Sequence, residues 1–296
     1  MEWIERFNNA ISYIEKHITE EIDYEQVAKV ACCSSYHFQR MFNYLADVPI
    51  SEYIRRRKLS LAAVDLQSGN EKVIDIALKY GYSSPTAFNR AFQSIHGVTP
   101  SSIKVNGQTI KSFPPINFKI IVKGVEEMNF RIEKKDAFRI VGVSAPLEKE
   151  LEKNFEIVPK MWEKVMTDGT IIQINQLLDT DWKCILGVSV CDDCRRTENY
   201  ENWRYYIAAP STLDKGMFDE YIVPALTWAI FSGKGSFSQD LPELERRVIT
   251  EWLPTSGYEY DNGPDIEVYL TPDIENAEFE IWIPVKKKVV TNDKQR

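Results

Sequence analysis

Hydrophobic residues in the first hundred positions recur at the spacing of an α-helix. Between residues 3 and 18 they fall every three or four positions, which predicts an amphipathic helix with one buried stripe. The same periodicity, with breaks at Gly and Pro, predicts five more helices. These lie at residues 24–31, 36–45, 51–67, 72–80 and 85–95. Asp23 and Ser35 are predicted to cap the second and third helices, and Pro85 to begin the sixth after Ser84.

Two of the predicted helical hairpins repeat each other. Residues 27–42 and 76–92 each contain a short helix, a tight turn, a Ser-Ser pair and a helix with an arginine between two phenylalanines. Arg40 and Arg90 are 50 positions apart, as are the phenylalanines around them. The pattern is typical of two helix-turn-helix units in one chain, which a monomer could place in adjacent major grooves of DNA. Two amphipathic hairpins without a DNA role are the alternative.

Beyond residue 127 the pattern changes to short runs of β-branched and aromatic residues, which predict strands. Two strands, a helix and two more strands are predicted, and the same order then repeats. The first set lies at 128–134, 138–144, 152–167, 183–191 and 203–209, and the second at 217–223, 226–233, 241–253, 265–270 and 278–286. The repeat predicts an α+β fold: one antiparallel sheet with two helices on one face and pseudo-twofold symmetry. The open face between the repeats is a natural ligand groove.

Three segments follow from these patterns. Residues 1–105 are predicted to form an all-α DNA-binding domain, in which a long helix joins the two helix-turn-helix units. Residues 106–127, which Gly and Pro punctuate, are predicted to be a linker and a lead-in strand. Residues 128–296 are predicted to form the α+β domain.

The composition is that of an ordinary soluble globular protein, with 44% hydrophobic and 27% charged residues and no apolar run long enough to cross a membrane. Residues 1–107 carry 12 basic and 12 acidic side chains, so the net charge of −8 arises beyond them. Five cysteines with one adjacent pair do not suggest a disulfide framework, and a reducing cytoplasm is expected. Cys191 and Cys194 have the spacing of half a zinc site. Since a second pair and a nearby histidine are lacking, no metal and no cofactor are predicted.

The second helix of each unit should supply the base-reading side chains, because it enters the major groove. The predicted readers are Tyr36, Gln39 and Arg40 in the first unit and Thr86, Asn89 and Arg90 in the second. Gln can pair with adenine and Arg with guanine through two hydrogen bonds. Solvated surface residues are the alternative. In the cluster 55–58 one or two cations could contact phosphate while the others pair with acids of the same domain. Arg40→Ala is expected to abolish sequence-selective binding in a gel shift.

Residues 24–103 resemble the DNA-binding domain of the AraC/XylS transcription activators. The matching features are Val27-Ala28, Tyr36-x-Phe38-x-Arg40-x-Phe42, Tyr53-x-x-x-Arg57-Lys58-Leu59, Ile76-Ala77, Gly81-Tyr82, Phe88-x-Arg90-x-Phe92 and Thr99-Pro100. The resemblance implies two helix-turn-helix units joined by a long helix, with base-reading positions at 36, 39, 40, 86 and 90. Double-stranded DNA is the expected partner, with RNA polymerase as a further one. Cys32 departs from the family pattern, which usually has a small residue, often Gly, in this turn.

Residues 128–296 resemble the GyrI-like effector-binding domains, and the domain order is similar to that of Rob-type regulators. The matching stretches are Phe138-Arg139-Ile140-Val141-Gly142, Glu251-Trp252-Leu253-Pro254, Ile266-Glu267-Val268-Tyr269 and Glu280-Ile281-Trp282-Ile283-Pro284. The resemblance implies a site for lipophilic cations with Glu280 as the carboxylate. Strand alternation places Trp282 on the face of Glu280. The other predicted effector-binding residues are Tyr206, Trp228 and Tyr269, and a solvated Glu280 is the alternative.

The sequence therefore predicts a cytoplasmic, sequence-specific transcription regulator, an activator and not an enzyme, whose second domain binds a small apolar or cationic effector. Two alternatives concern that second domain. Glu280 with Tyr206 or Tyr269 could hydrolyse electrophilic small molecules, or the acidic domain could bind another protein. No membrane association is expected.

Overall fold

The computed structural model describes residues 2–69, 71–104, 109–119, 127–191, 203–271, 273 and 276–288. The chain divides into two compact units, Met1–Ile120 and Ile121–Arg296. The first, here called the helical unit, has only helices among its described elements, and the second, the sheet unit, is built on a β-sheet.

The described part of the helical unit contains six α-helices and one short 3-10 turn. They are α1 (Glu2–Lys16), α2 (Tyr24–Ala31), α3 (Ser35–Ala46), α4 (Ile50–Ser68), α5 (Val73–Lys79), α6 (Pro85–His96) and the turn Ser102–Lys104. All six predicted helices are confirmed, with ends that differ from the prediction by no more than two residues. The long helix that joins the two helix-turn-helix units is α4.

Polar side chains determine where three of these helices begin. Asp23, Ser34 and Ser84 each accept a hydrogen bond from a backbone N–H in the first turn of the helix that follows. These N–H groups have no partner within the helix, so the cap stabilises it. The predicted cap Ser35 is wrong by one residue, because Ser34 keeps the extended backbone and Ser35 is already helical. Pro85 begins α6 as predicted.

The turn between α2 and α3 has a left-handed residue at Cys32. Its backbone angles are φ 58° and ψ 38°, and it ends α2. A side chain with a Cβ is disfavoured in this region by roughly 1 kcal/mol relative to glycine. Glycine would therefore suit this position for conformational reasons alone.

We expect Cys32→Gly to raise the free energy of unfolding by about 0.5–1 kcal/mol, because glycine adopts the left-handed conformation without strain. Cys33→Gly is the matched control, since Cys33 does not have a positive φ, and it should lower stability through added freedom of the unfolded chain. Urea unfolding followed by circular dichroism measures both. A loss of stability in Cys32→Gly would mean that the thiol contributes more than the backbone strain costs.

Each helix-turn-helix unit buries two phenylalanines of its second helix. Phe38 and Phe42 of α3 and Phe88 and Phe92 of α6 are all 0% exposed. They occupy corresponding positions of the sequence repeat, so the two helices turn the same side toward their cores. Leucine and alanine side chains of α4 complete the core around Phe88 and Phe92.

The arginines of the cluster on α4 are paired within the helical unit. Arg57 forms an ion pair of 2.7 Å with Glu15 of α1. Arg55 and Arg56 both pair with Glu52, at 2.7 and 2.6 Å. The prediction that members of this cluster pair with acids of their own domain is confirmed for these three arginines. Phosphate contact by the cluster stays a prediction.

A buried histidine ends α6. His96 is 5% exposed, and its Nε2 lies 3.2 Å from the carbonyl oxygen of Leu59. Its ring lies against Phe92, with 4.3 Å between the ring centroids. Burial lowers the pKa of His96 below its usual value, because an imidazolium ion would be poorly solvated there.

We therefore expect the helical unit to lose stability on acidification. The unfolded chain binds a proton at His96 near pH 6.5, whereas the folded chain binds it only at lower pH. The contribution of His96 is complete above the unfolded pKa and falls as the pH drops toward the folded pKa, by at most about 1.4 kcal/mol per pH unit. Urea titrations at pH 7.5 and 5.5 measure the loss, and His96→Gln should reduce it. The same loss in His96→Gln would assign the titration to another group.

The sheet unit confirms the predicted α+β fold. Its elements are β1 (Phe130–Lys135), β2 (Phe138–Pro146), α7 (Leu151–Thr167), α8 (Thr170–Asn175), β3 (Ile185–Val190), β4 (Arg204–Pro210), β5 (Asp219–Val223), β6 (Leu226–Gly235), α9 (Asp240–Arg247), α10 (Leu253–Thr255), β7 (Tyr258–Tyr260), β8 (Asp265–Tyr269) and β9 (Ala277–Lys287). The predicted helix 241–253 is divided, because a π-helical stretch, Val248–Trp252, separates α9 from α10. The helix α8 and the strand β7 were not predicted.

The strands form one antiparallel sheet in which the two halves exchange an edge strand. The order is β1-β6-β9-β8-β3-β4-β2-β5, and β7 pairs with β9 outside this path. In the sequence repeat, β1, β2, β3 and β4 correspond to β5, β6, β8 and β9, in that order. With this correspondence, the strand order is the same whether it is followed from the β1 edge or from the β5 edge of the sheet. The first strand of each repeat therefore pairs with the second strand of the other repeat, which interlocks the halves.

The two faces of this sheet carry different sets of side chains. One face, called the helix face, carries Phe279, Ile281 and Ile283 of β9, which pack in one cluster with side chains of α9 and α10. The other face, called the opposite face, carries Trp228 and Trp282 among its buried residues. Tyr205 donates a hydrogen bond to Glu267 on the helix face, and the indole of Trp162 in α7 donates one to Tyr205. The helix α7 therefore lies on the helix face as well. The predicted arrangement of two helices on one face is confirmed.

Candidate DNA-reading helices and effector site

The second helix-turn-helix presents a polar face to solvent. Thr86, Asn89 and Arg90 of α6 are exposed. They share one side of the helix because residues three or four apart are neighbours on its surface. Arg90 has no carboxylate within ion-pair distance in the described part of the chain, unlike the arginines of α4. Its guanidinium can donate two parallel hydrogen bonds to a guanine. Base reading by these three residues stays a prediction, which their exposure supports.

The first helix-turn-helix differs, because its second helix is buried. Every residue from Ser35 to Phe42 of α3 is buried, and Tyr36, Gln39 and Arg40 are 9%, 1% and 8% exposed. The guanidinium of Arg40 lies 6.0 Å from the ring centroid of Tyr36 and 5.9 Å from that of Tyr44. These side chains are buried in the structure. Their role in base reading stays a prediction.

Four of the five predicted effector residues lie on the opposite face of the sheet. Tyr206, Trp228 and Trp282 are 7%, 0% and 5% exposed there. Glu280 lies on the same face, since it is two residues from Trp282 on β9. The rings of Trp228 and Trp282 have centroids 5.9 Å apart. Aromatic faces beside a carboxylate are a favourable environment for a cation.

The protein already supplies cations to this face. The carboxylate of Glu280 accepts two hydrogen bonds from the guanidinium of Arg131, at 2.7 and 3.1 Å, and one of 2.8 Å from the indole of Trp282. The ammonium of Lys135 lies 5.2 Å from the ring centroids of both Trp182 and Trp282. The side chain of Glu280 is 13% exposed, and its role in effector binding stays a prediction. A cationic effector would have to compete with Arg131 and Lys135 here.

Tyr269 does not join the other four residues. In the pairing of β8 with β9, Val268 lies opposite Glu280 and Tyr269 lies opposite Phe279, on the helix face. The sheet therefore separates Tyr269 from the other four residues, because strand side chains alternate between faces at every residue. A role of Tyr269 in effector binding stays a prediction.

The same geometry bears on the alternative of hydrolysis by Glu280. Tyr269 lies on the other side of the sheet from Glu280. Tyr206 shares its face, but β4 and β9 are separated by β3 and β8. Three strand spacings place the Cα atoms of Glu280 and Tyr206 about 14 Å apart. The structure therefore favours neither tyrosine as a partner of Glu280.

The helix face carries a second carboxylate surrounded by aromatic groups. Glu267 of β8 accepts hydrogen bonds from the hydroxyls of Tyr205, at 2.9 Å, and Tyr269, at 2.6 Å. The ring of Trp162 of α7 lies 4.8 Å from that of Tyr269, centroid to centroid, and the ring of Phe237 lies at the same distance on the same tyrosine. We call these five residues the Glu267 cluster. It joins side chains from both repeats at the centre of the sheet.

Two features show that the chain makes room for Glu267 and keeps its partners protonated. A Cβ on Gly187, the neighbour of Glu267 on β3, would collide with the Tyr205 hydroxyl and lie 2.7 Å from the Glu267 carboxylate. Burial, followed by the charge of Glu267, raises the pKa of Tyr205 and Tyr269 well above the usual value for tyrosine. Both phenols therefore stay hydrogen-bond donors to the carboxylate.

Glu267 lies in the stretch 266–269 that matches the effector-binding domains, but it was not among the predicted effector-binding residues. The signal was present: Glu267 and Tyr269 alternate with the apolar Ile266 and Val268 inside one strand. An acidic residue at an inward position of a central strand needs polar partners, because burying a charge alone is costly. That pattern alone could have singled out Glu267.

The described residues hold no group of three or more His, Cys, Asp or Glu side chains that could bind a metal ion. Of the two cysteines with the spacing of half a zinc site, Cys194 lies outside the described residues. Among the described residues, no helix has the length and apolar character needed to span a membrane.

A pair of helix-turn-helix units followed by an interlocked α+β domain with a carboxylate-aromatic site defines a transcription regulator with a DNA-binding and an effector-binding domain. The model of a family described as "integron-associated effector binding protein" matches residues 131–285, and that of a helix-turn-helix domain matches residues 27–104. The chain belongs to this effector-binding family through residues 131–285, and residues 27–104 form an AraC-type DNA-binding domain.

The chain is similar to several known proteins. The HTH-type transcriptional activator AarP of Providencia stuartii is 36% identical over 94 residues, which are 32% of this chain and 70% of AarP. The regulatory protein SoxS of Salmonella typhimurium is 37% identical over 94 residues, 32% of this chain and 88% of SoxS. Among solved structures, that of SAV2435 bound to tetraphenylphosphonium is 17% identical, covers 54% of this chain and 94% of that one, and has a TM-score of 0.45.

Proposed function

We propose that the sheet unit binds a lipophilic cation at the Glu267 cluster and that this ligand controls transcription through the DNA-binding domain. The observation that carries the proposal is the carboxylate of Glu267, which two tyrosine hydroxyls hold beside the rings of Trp162 and Phe237. The Glu280 site predicted from the sequence is the competing location in the same unit.

The chemistry of the cluster selects for charge and apolar surface together. A carboxylate in a partly desolvated site attracts a cation more strongly than one in water. Aromatic faces add roughly 0.5–2 kcal/mol each time a cation lies over a ring. A small hydrated cation would lose its water shell without making contact with all of the aromatic rings. A bulky organic cation therefore fits better. The same reasoning at Glu280 must include the cost of displacing Arg131.

One relative supports a direction of control. AarP is named a transcriptional activator. We propose activation for this chain as well, with RNA polymerase as the protein partner that an activator contacts. The effector would then shift the chain toward the state that activates transcription.

Ligand-dependent melting tests the proposal on the full chain. At one hundred times its Kd a ligand that binds only the folded state stabilises it by about 2.7 kcal/mol. For a unit of this size the melting temperature should rise by roughly 5–10 °C. Tetraphenylphosphonium is a suitable cationic probe, and tetraphenylmethane derivatives made soluble without a positive charge are the matched control. A melting temperature that no lipophilic cation changes would favour the alternative of a protein-interaction module.

A further inference from the structure

The segment that follows the second helix-turn-helix lies along the helical unit in an unusual repeat. Within residues 109–119 the half-buried side chains are Ile110, Phe113, Ile116 and Phe118, and the residues between them are exposed. The first three are spaced by three residues, which is the period of a polyproline II helix. Pro114 and Pro115 lie in the middle of the segment. Since proline presets φ near the polyproline II value, the extended form loses little conformational entropy on docking.

One side of α4 holds the backbone of this segment. Tyr53, Arg57 and Ser60 fall on the same side of the helix, since they are three and four residues apart. The backbone N–H of Phe113 donates to the Ser60 hydroxyl at 3.0 Å, and Arg57 donates to the Phe113 carbonyl at 2.5 Å. The backbone N–H of Ile116 donates to the Tyr53 hydroxyl at 3.3 Å.

The far end of the segment is attached to α1. Asn8 makes two hydrogen bonds with the backbone of Phe118: its amide donates to the carbonyl at 2.9 Å and its oxygen accepts from the N–H at 2.8 Å. The ring of Phe118 lies 5.4 Å from that of Phe7 and 5.8 Å from that of Phe42, centroid to centroid. This end therefore packs on the core of the first helix-turn-helix.

The near end packs on the other core. Ile110 and Phe113 lie against the cluster formed by α4, α5 and α6, which is the core of the second helix-turn-helix. The guanidinium of Arg56 lies 5.2 Å from the ring centroid of Phe113. Eleven residues thus connect the cores of both reading units, in addition to α4.

We propose that residues 109–119 are a brace that fixes the angle between the two helix-turn-helix units and thereby sets the spacing of the two half-sites that the chain accepts on DNA. Two reading helices that share only α4 can bend relative to each other about that helix. A second, nearly inextensible connection that is attached to both cores removes this freedom. Asn8 and Ser60 are positioning residues in this arrangement, because neither would touch DNA themselves.

Half-site spacing is the measurement that separates a brace from ordinary packing. The probe is a DNA duplex selected by the full chain from a random-sequence library, together with versions that have one or two base pairs inserted between the half-sites. Each inserted pair rotates one half-site by about 35° relative to the other. We expect the natural chain to lose about tenfold or more in affinity when two base pairs are inserted. Asn8→Ala should bind the original spacing several-fold more weakly, with a discrimination between spacings reduced to about twofold.

Asn9→Ala is the matched control, since Asn9 is the exposed neighbour of Asn8 on the same helix, and it should keep the natural discrimination. Ser60→Ala removes the hydrogen bond from the backbone of Phe113 and a second one to the Arg56 carbonyl within α4. It is the second variant in case Asn8→Ala does not fold. Equal loss of affinity at every spacing, with the discrimination unchanged, would overturn the brace and leave a purely stabilising role. Folded variants that keep both the affinity of the natural chain and its discrimination between half-site spacings would overturn the brace as well.

Discussion

Glu267→Gln is expected to weaken the binding of tetraphenylphosphonium to the full chain by roughly thirtyfold, as measured by isothermal titration calorimetry. The substitution keeps the shape of the side chain and an oxygen that can accept from Tyr205 and Tyr269. It removes the negative charge. At about 4 Å and an effective dielectric constant near 20 a pair of charges gains about 4 kcal/mol, and partial hydration of the bound cation offsets about half of this. The remaining 2 kcal/mol or so corresponds to the expected change in Kd.

Glu280→Gln is the matched control for Glu267→Gln, because it makes the same chemical change on the opposite face of the sheet. It removes the charge that pairs with Arg131, whose side chain is 42% exposed, so only a modest loss of stability is expected. The Kd for the cation should stay within about twofold of the natural value, well below the tenfold that 1.4 kcal/mol would cause. A large loss of binding in Glu280→Gln with little change in Glu267→Gln would place the effector at the site predicted from the sequence.

The fold was largely predictable because its signals are local. The repeat that places Phe38 and Phe42 against Phe88 and Phe92 is visible in the sequence, and the structure buries all four side chains. The strand-helix order of the sheet unit repeats in the same way. The two halves exchange an edge strand, however, and this could not be read from periodicity. Nothing in the sequence of β1 distinguishes pairing with β2 from pairing with β6.

The candidate effector site was less predictable, because it depends on which face of the sheet each strand residue occupies. Glu280 and Trp282 were placed on one face correctly by alternation within β9. Tyr269 belongs to β8, and the register of β8 against β9 determines its face. A shift of one residue in that register exchanges the faces of a whole strand. The alternation within β8 could have singled out Glu267, but its contact with Tyr205 depends on the pairing of β8 with β3 and of β3 with β4.

The contacts of residues 109–119 were also missed. The prolines there were interpreted as marking a linker between domains, which is their commonest meaning. The spacing of Ile110, Phe113 and Ile116 is the period-three signal that would have predicted a docked, extended segment. Its hydrogen-bond partners, such as Asn8, are more than a hundred residues away in sequence, so no local pattern identifies them.

Arg90→Ala is expected to weaken binding to the selected duplex by between about fivefold and 150-fold, while binding to unrelated DNA changes little. Arg90 is exposed on the polar side of α6, where its guanidinium can form two hydrogen bonds with the edge of a guanine. Loss of such a pair costs about 1–3 kcal/mol and relaxes specificity at one base position. Gel shifts with the selected duplex, with a variant at each base pair and with unrelated competitor DNA measure both effects.

Arg55→Ala is the control for Arg90→Ala, because Arg55 is a half-buried arginine that already pairs with Glu52. If Arg55 contributes at all, it should do so through phosphate, which weakens binding equally for every sequence and lowers the salt dependence. Arg40→Ala is less decisive, since Arg40 is buried and its loss would also disturb packing around Tyr36 and Tyr44. Unchanged base preference in Arg90→Ala would exclude Arg90 as a base reader. Selectivity would then depend on α3 or on the other exposed residues of α6.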